Sequence, residues 1–327
     1  IILLVTKNFI LFLIVAVLCT FMANVTMSRK ADQLFPYLKE TCKEKLPKEE
    51  RQDIIKNVKA MLMHKLGNIV VNNTDNLLIS GFVGVITAGI YSNYYLIIGS
   101  VRQVLDQAFQ GVAASVGNLG ITEEKEKVHQ VFLQLFFIGQ WMYGVAGICL
   151  YEMLNPFVEL AFGKKYLFPM GVVLVLCVNF SMNGAKKSVT IFKESMGLFW
   201  NDRYKAIVEA VLNLGISVLL VVRFGVAGVF LGTILSMLLT SVWIEPYVIY
   251  KHSFKCSSVE FFLTYGKNVM IMGIVWVCTN YCCRIFSGGA FTNLLFRMCV
   301  CVVVPNVLLW LAYRRSEEWK RLFELMK

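Results

Sequence analysis

Long apolar runs, separated by short polar segments, dominate the hydrophobic pattern of this chain. Most runs hold about 20 residues, the length with which a helix crosses roughly 30 Å of hydrocarbon. They do not alternate as barrel strands do, and backbone at membrane depth forms either helices or closed barrels. The pattern predicts an all-α polytopic membrane protein with about nine transmembrane helices, at residues 1–27, 66–89, 92–117, 130–153, 167–185, 206–222, 226–249, 268–286 and 291–312.

The second and third predicted spans carry an unusual number of polar residues, and a tight aromatic turn at residues 91–95 is predicted to join them. Polar groups at membrane depth are costly and normally face the bundle interior or a water-filled cavity. The alternative, that they are polar contacts between packed helices, stays open. We expect an aqueous cavity lined by Asn72, Asn73, Asp75, Asn76, Arg102, Asp106, Gln107 and Gln110. Arg102 and Asp106 are four residues apart and share one helix face.

The distribution of charge predicts the orientation of the chain. The 327 residues are 57% hydrophobic, the formal net charge is +11, and the mean hydropathy is +0.64. One set of loops holds 24 Lys and Arg residues and the opposite set holds 4. Positive charge accumulates in cytoplasmic loops. We therefore expect a multi-pass protein of the cytoplasmic (inner or plasma) membrane with a cytoplasmic C-terminus, and no nucleic-acid partner.

Three basic cytoplasmic segments show helical spacing of apolar residues. They lie in residues 29–65, around Ile191 and Phe192, and around Trp319 and Leu322. Such segments are typical of amphipathic helices that lie on anionic lipids, so membrane lipids are expected partners. Packing of these helices against the ends of the bundle is the alternative.

Other chemistry is sparse in this sequence. The ten cysteines show no metal-ligand spacing, no Ser/His/Asp set is recognisable, and a phosphate-binding glycine loop is missing. We expect no catalytic activity, cofactor or metal site. Glu152, Glu209 and Glu245 lie near span ends and are interpreted as interfacial carboxylates. Arg297 lies deeper in the last span and is a further candidate for the cavity, because a guanidinium suits phosphate.

Five stretches together resemble a known family: residues 72–76 (NNTDN), 89–95 (GIYSNYY), 197–205 (GLFWNDRYK), 228–233 (GVFLGT) and 243–247 (WIEPY). The sequence is similar to the polysaccharide transporters, including O-antigen flippases, of the multidrug/oligosaccharidyl-lipid/polysaccharide exporter superfamily. The resemblance implies two six-helix lobes related by an axis along the membrane normal. It further implies alternating-access flipping of a lipid-linked oligosaccharide of the undecaprenyl-pyrophosphate type, with a possible coupling cation.

The resemblance also implies a domain organisation. Residues 1–28 are expected to be the last helix of an otherwise missing N-terminal lobe, and residues 29–65 a cytoplasmic amphipathic linker. Residues 66–249 are then a complete six-helix lobe. Residues 250–327 supply two additional transmembrane helices and an amphipathic tail. The chain is thus expected to be N-terminally truncated, since it begins on Ile1 inside an apolar run.

Two other functions remain open. A multidrug or cation antiporter of the same superfamily is expected to use a compact acidic site rather than a long polar wall. A membrane polysaccharide polymerase or ligase is expected to carry catalytic residues on a large outer loop, and the predicted outer loops are short.

The charge asymmetry generates a prediction about topology. In a background without native cysteines, a cysteine at position 45 should be shielded from a membrane-impermeant thiol reagent in intact cells, whereas a cysteine at position 163 should react. Labelling of position 45 from outside would show that the predicted orientation is inverted.

Overall fold

A computed structural model describes residues 6–39, 46–286, 288–316 and 319 of the chain. These residues form eleven α-helices and no β-strand. The helices are α1 (Phe9–Leu34), α2 (Lys48–Leu78), α3 (Val85–Thr122), α4 (Lys125–Phe162), α5 (Met170–Ala185), α6 (Lys187–Ser195), α7 (Lys205–Phe224), α8 (Val226–Leu239), α9 (Ser241–Ile249), α10 (Val259–Arg284) and α11 (Ala290–Tyr313). Short 3-10 turns lie at Pro36–Lys39 and Lys164–Tyr166, and π-helical turns at Ile79–Val83 and Tyr250–Phe254.

Within the described part of the chain, six helical segments are long and apolar enough to cross a membrane, which indicates a membrane-embedded protein. They are Phe9–Leu34, Lys125–Phe162, Lys205–Phe224, Val226–Phe254, Val259–Arg284 and Phe291–Tyr313. The other three predicted spans fall on α2, α3 and α5. Helix α2 is more polar, α3 carries Arg102 and Asp106 within its apolar run, and α5 has only 16 residues. Residues 320–327, where an amphipathic tail is predicted, lie outside the described part of the chain.

The predicted turn at residues 91–95 is wrong, because these residues lie inside α3. The chain breaks earlier, at Gly84, whose φ of 121° favours glycine over residues with a side chain. Tyr91 and Tyr94 are buried instead of forming a loop. The Tyr94 hydroxyl donates to Asn155 Oδ1 of α4 at 2.6 Å, which fixes the first part of α3 on the last part of α4.

The boundary of the predicted linker at residue 65 is also not a helix boundary. Helix α2 runs without interruption from Lys48 to Leu78, so the helix expected in the linker continues into the predicted second span. The chain divides into two compact units, Ile1–Ile54 and Ile55–Lys327. All sites described below belong to the second unit.

Helix α4 lies at the centre of the second unit. It packs against α3, α5, α6, α10 and α11. Three apolar clusters surround it: one with α3, α5 and α8, one with α6 and the Tyr250–Phe254 turn, and one with α10 and α11. The amphipathic helix predicted around Ile191 is α6. Its apolar side chains pack against the helix bundle, which was the alternative to binding on the membrane surface. Ile191 and Phe192 are 8% and 0% exposed because they pack inside the protein.

Glycines allow α7 and α8 to approach closely. The two helices form a hairpin that turns at Gly225, which has a φ of 56°. A Cβ atom added at Gly228 would overlap the Leu220 carbonyl group, and one added at Gly232 would overlap Ser217. Small residues of this kind let the backbones of membrane helices come into contact. The hairpin in turn holds Asn213 and Thr233 beside the cavity described below.

The packing of this hairpin predicts a difference between two Gly→Ala substitutions. Gly228→Ala should destabilise the protein by about 1–3 kcal/mol, because the backbone of α7 must move to admit the methyl group. Gly215→Ala on α7 is the control, since a Cβ atom there has open space around it. Thermal unfolding in detergent should show a lower midpoint for Gly228→Ala alone. Equal midpoints would contradict the close approach.

Candidate functional site

A cavity of about 480 Å³ lies among α2, α3, α5 and α8, and we call it the central cavity. Its wall combines amides, tyrosines and charged groups with a few apolar side chains. The polar members are Asp75, Tyr91, Tyr95, Arg102, Gln103, Asp106, Gln107, Gln110, Asn179, Asn183 and Thr233. Polar residues of α2 and of α3, which precede and follow the break at Gly84, line the same space.

The structure brings together some of the residues predicted to line a cavity. Asp75, Arg102, Asp106, Gln107 and Gln110 all lie in the wall of the central cavity. Asn73 and Asn76 do not: both side chains are exposed outside the cavity wall. The side chain of Asn72 lies outside the described part of the structure. Asn73 and Asn76 lie outside the cavity wall because residues 73, 75 and 76 cannot all lie on one face of α2.

Arg102 forms no direct ion pair among the described residues, although the Asp75 carboxylate in the same wall attracts it electrostatically. Its guanidinium lies 5.9 Å from the centre of the Phe180 ring. The sequence placed it on one helix face with Asp106, but the two do not pair. A guanidinium presents five N–H donors in a planar fork. Those donors are available to an anion that enters the cavity.

Asp106 is instead held by residues from other helices. It accepts a hydrogen bond of 2.5 Å from the Tyr143 hydroxyl of α4. It also lies 3.4 Å from the ammonium group of Lys187 at the start of α6. Asp106 is therefore a positioned acceptor in the wall, linked to α4 and α6, and it leaves Arg102 free to act on its own.

Asp75 and Thr233 of the α7–α8 hairpin line the same cavity wall. Asn213 Nδ2 of the hairpin donates to Thr233 Oγ1 at 2.9 Å. Asp75 Oδ1 and Asn213 Oδ1 are both buried without a hydrogen-bond partner among the described residues. Buried polar atoms are nearly always satisfied. Asp75, Thr233 and Asn213 thus supply two unsatisfied oxygen atoms and one hydroxyl group, which can accept a cation or a proton.

A second cavity of about 210 Å³ adjoins the central cavity, and we call it the basic cavity. The two share Arg102, Asp106 and Asn183 in their walls. Four lysines line the basic cavity: Lys186, Lys187, Lys193 and Lys205. A polar route therefore leads from Asp75 past Arg102 to the end of the bundle that the sequence predicts to be cytoplasmic.

A buried network of ion pairs forms the far wall of the basic cavity. Lys193 lies 2.7 Å from Asp202 and 3.2 Å from Glu245, and Lys205 lies 2.6 Å from Glu245 and 3.2 Å from Glu209. All five residues are at most 7% exposed. Breaking such a buried pair typically costs about 3–5 kcal/mol. The network joins α6, α7 and α9.

His64 ties α2 to this network. Its Nε2 atom lies 3.0 Å from Asp202 Oδ1 and 3.2 Å from the Phe199 carbonyl oxygen. Both partners are acceptors, so Nε2 carries the proton. Burial alone would raise the pKa of the Asp202 carboxyl, but the contacts with His64 and Lys193 outweigh it and hold the pKa below its usual range.

The interpretation of the three glutamates as interfacial carboxylates is wrong. Glu152, Glu209 and Glu245 are 1%, 7% and 2% exposed, and each is neutralised by a basic side chain. Sequence proximity to a span end was a misleading signal. The partners of Glu152 and Glu245 come from segments far away in the sequence, so no local pattern marks them.

Arg297 lies apart from both cavities. Its guanidinium binds Glu152 Oε2 of α4 at 3.0 Å, and Asn280 of α10 donates to the other Glu152 oxygen at 2.6 Å. It lines neither the central nor the basic cavity. In this structure Arg297 joins α11 to α4 and is not placed with Arg102.

Comparisons of the chain with protein-family models, curated proteins and solved structures find no match. The function is therefore best judged from the chemistry of the two polar cavities and from the pattern of charges around them.

The Asp202 contacts predict how stability depends on pH. Asp202→Asn should lower the stability at pH 7 by about 3–5 kcal/mol, since Lys193 loses an anionic partner. The pKa of Asp202 in the folded state is below its value of about 3.9 in the unfolded state. The ionised carboxylate therefore stabilises the folded state above about pH 3.9, and this contribution is lost as the pH falls through the folded-state pKa. The gap in unfolding midpoint between wild type and variant should therefore shrink below about pH 4.

The exposed Asp53 provides the control, because Asp53→Asn makes the same chemical change outside the network. A midpoint gap for Asp202→Asn that stays constant with pH would contradict the role of its charge, as would an equal loss in both variants.

Proposed function

We propose that this chain belongs to a membrane transporter that moves lipid-linked oligosaccharide or polysaccharide precursors across the bacterial cytoplasmic membrane by alternating access. The proposal rests on the family resemblance of the sequence and on the chemistry of the central cavity. The observation that carries it is Arg102, a guanidinium without a direct ion pair among the described residues, in the wall of a polar cavity.

The substrate class has two polar parts that match the wall. A diphosphate linkage is bound best by a planar, bidentate guanidinium. Sugar hydroxyl groups both donate and accept hydrogen bonds, as do the amides of Gln103, Gln107, Asn179 and Asn183 that line the same space. Arg102 lines both cavities and shares the central cavity with these amides, so the linkage and the sugars can be held at once.

The polar route also supports a direction of entry. With the orientation that the charge asymmetry predicts, the basic cavity faces the cytoplasm. An anionic headgroup made in the cytoplasm would first meet Lys186 and Lys187, and then Arg102.

The coupling cation of this proposal occupies the cluster of Asp75, Asn213 and Thr233, whose oxygen atoms are the ligands that hard cations prefer.

The exposed side of α3 supports the two-lobe organisation. Gln103, Gln107 and Gln110 are exposed while they also line the central cavity. Amides facing lipid are costly. In the proposed transporter a second lobe covers this face and closes the cavity.

A multidrug or cation antiporter is the second candidate. The observation that favours it is the compact cluster around Asp75, with its unsatisfied carboxylate oxygen. In such a transporter Asp75→Asn would abolish transport and Arg102→Gln would not.

The flippase proposal predicts the effect of removing the charge of Arg102. Arg102→Gln should reduce oligosaccharide export by roughly 10–100-fold, the loss expected for one charge-assisted contact of about 1.5–3 kcal/mol. The protein level should stay near normal, because no ion pair is broken. Export would be measured in cells that depend on this protein, alongside its abundance in the membrane.

Arg223→Gln is the matched control, since Arg223 is exposed at the end of α7 and lies in neither polar cavity. It should export normally. Full export by a well-expressed Arg102→Gln protein would rule out the assignment of Arg102 to the substrate.

A further inference from the structure

A third cavity, of about 420 Å³, lies between the α4–α5 pair and the α10–α11 pair. We call it the apolar cavity, because carbon and sulfur atoms make up most of its wall. Representative wall residues are Trp141, Tyr151, Cys177, Met272 and Trp276. Neither the resemblance nor the proposed transport route gives it a role.

The apolar cavity is separate from the transport route. It shares no lining residue with the central or the basic cavity. Helix α5 divides them: Cys177 and Ser181 face the apolar cavity, whereas Asn179 and Asn183 face the central cavity. A substrate held at Arg102 would have to pass its lipid tail through packed helices to reach this space.

The rim of the apolar cavity lies on the outer surface of the bundle. Val178 on α5 is 39% exposed, Val269 on α10 is 53% exposed, and Gly273 on α10 is also exposed. Helix α10 is one of the six segments able to cross a membrane. At this position along α10 the surrounding medium is hydrocarbon, so the opening faces acyl chains and not water.

The interior offers little to a polar ligand. At one end, Asn268 donates to Gln140 Oε1 at 2.6 Å and accepts from the Tyr313 hydroxyl at 2.6 Å, so these groups satisfy one another. The exception is Trp276 Nε1, which is buried without a hydrogen-bond partner among the described residues. That nitrogen is covered by protein atoms and offers no donor to the cavity, which therefore suits a long chain without polar groups.

We propose that the apolar cavity binds one acyl chain of a bilayer phospholipid. An acyl chain carries no polar group that the apolar wall would leave unpaired, and the exposed rim gives the chain direct access from the bilayer. A phospholipid fits better than the transported molecule, because the cavity is sealed from the polar route. The bound chain fills the space between the helix pairs and stabilises their contact. This inference does not depend on what the protein transports.

The test uses a photoreactive lipid. The purified full chain is placed in phosphatidylcholine vesicles that contain phosphatidylglycerol with a diazirine on one acyl chain. After illumination, adducts are mapped by mass spectrometry. We expect adducts on Met272 and Trp276 inside the cavity, and also on Leu263, which is 70% exposed on the same helix and reports ordinary lipid contact.

Two glycines of α10 supply a variant and its control. A Cβ atom added at Gly273 or at Gly266 meets no atom within 4 Å among the described residues, but only Gly273 lines the cavity. Gly273→Leu should remove the adducts on Met272 and Trp276 and keep those on Leu263. Gly266→Leu should keep all three. If Gly273→Leu does not fold, Val178→Phe closes the opening from α5, with the exposed Val211→Phe on α7 as its control.

Three results would overturn the proposal. The cavity adducts could persist in the plugged variants, adducts could form only on outward-facing residues such as Leu263, or the cavity could be labelled only by a photoreactive polyprenyl phosphate in a parallel experiment. The last result would assign the cavity to a prenyl carrier instead of a phospholipid.

Discussion

The pairing of charges inside an apolar bundle is the constraint on which the rest of this structure depends. An isolated charge in a medium of low polarity is very costly, so it must be neutralised or face water. Glu152 meets Arg297 in this way, which joins α4 to α11. Lys193 meets Asp202 and Glu245, which joins α6, α9 and the segment before α7. These ion pairs hold together helices whose contacts are otherwise apolar.

The same rule separates structural charges from candidate functional ones. Asp106 has partners, Tyr143 and Lys187, and so belongs to the framework of the cavity wall. Arg102 forms no direct ion pair among the described residues, and Asp75 retains an unsatisfied oxygen atom. Both face the central cavity. A charge that the fold leaves unpaired beside a cavity is best explained by a ligand, and this reasoning links packing to the proposed transport.

The sequence predicted the helices well because their signal is local. Apolar runs of the right length lie on helices throughout the described part of the chain. The break at Gly84 was missed, since nothing nearby distinguishes it from Gly81 or Gly89. The ion pairs were missed for a different reason. Lys193 and Glu245 are 52 residues apart, and Arg297 and Glu152 are 145 apart, so only the fold reveals them.

The central claim is that Arg102 faces a water-filled cavity. The most direct measurement is the reaction of an Arg102→Cys variant, free of the ten native cysteines, with a negatively charged methanethiosulfonate. Thr279→Cys in the same background is the reference, because Thr279 is 0% exposed. The account predicts rapid modification at position 102 and none at position 279. Equal inertness at both positions would contradict it, because Arg102 would then be packed against protein or lipid.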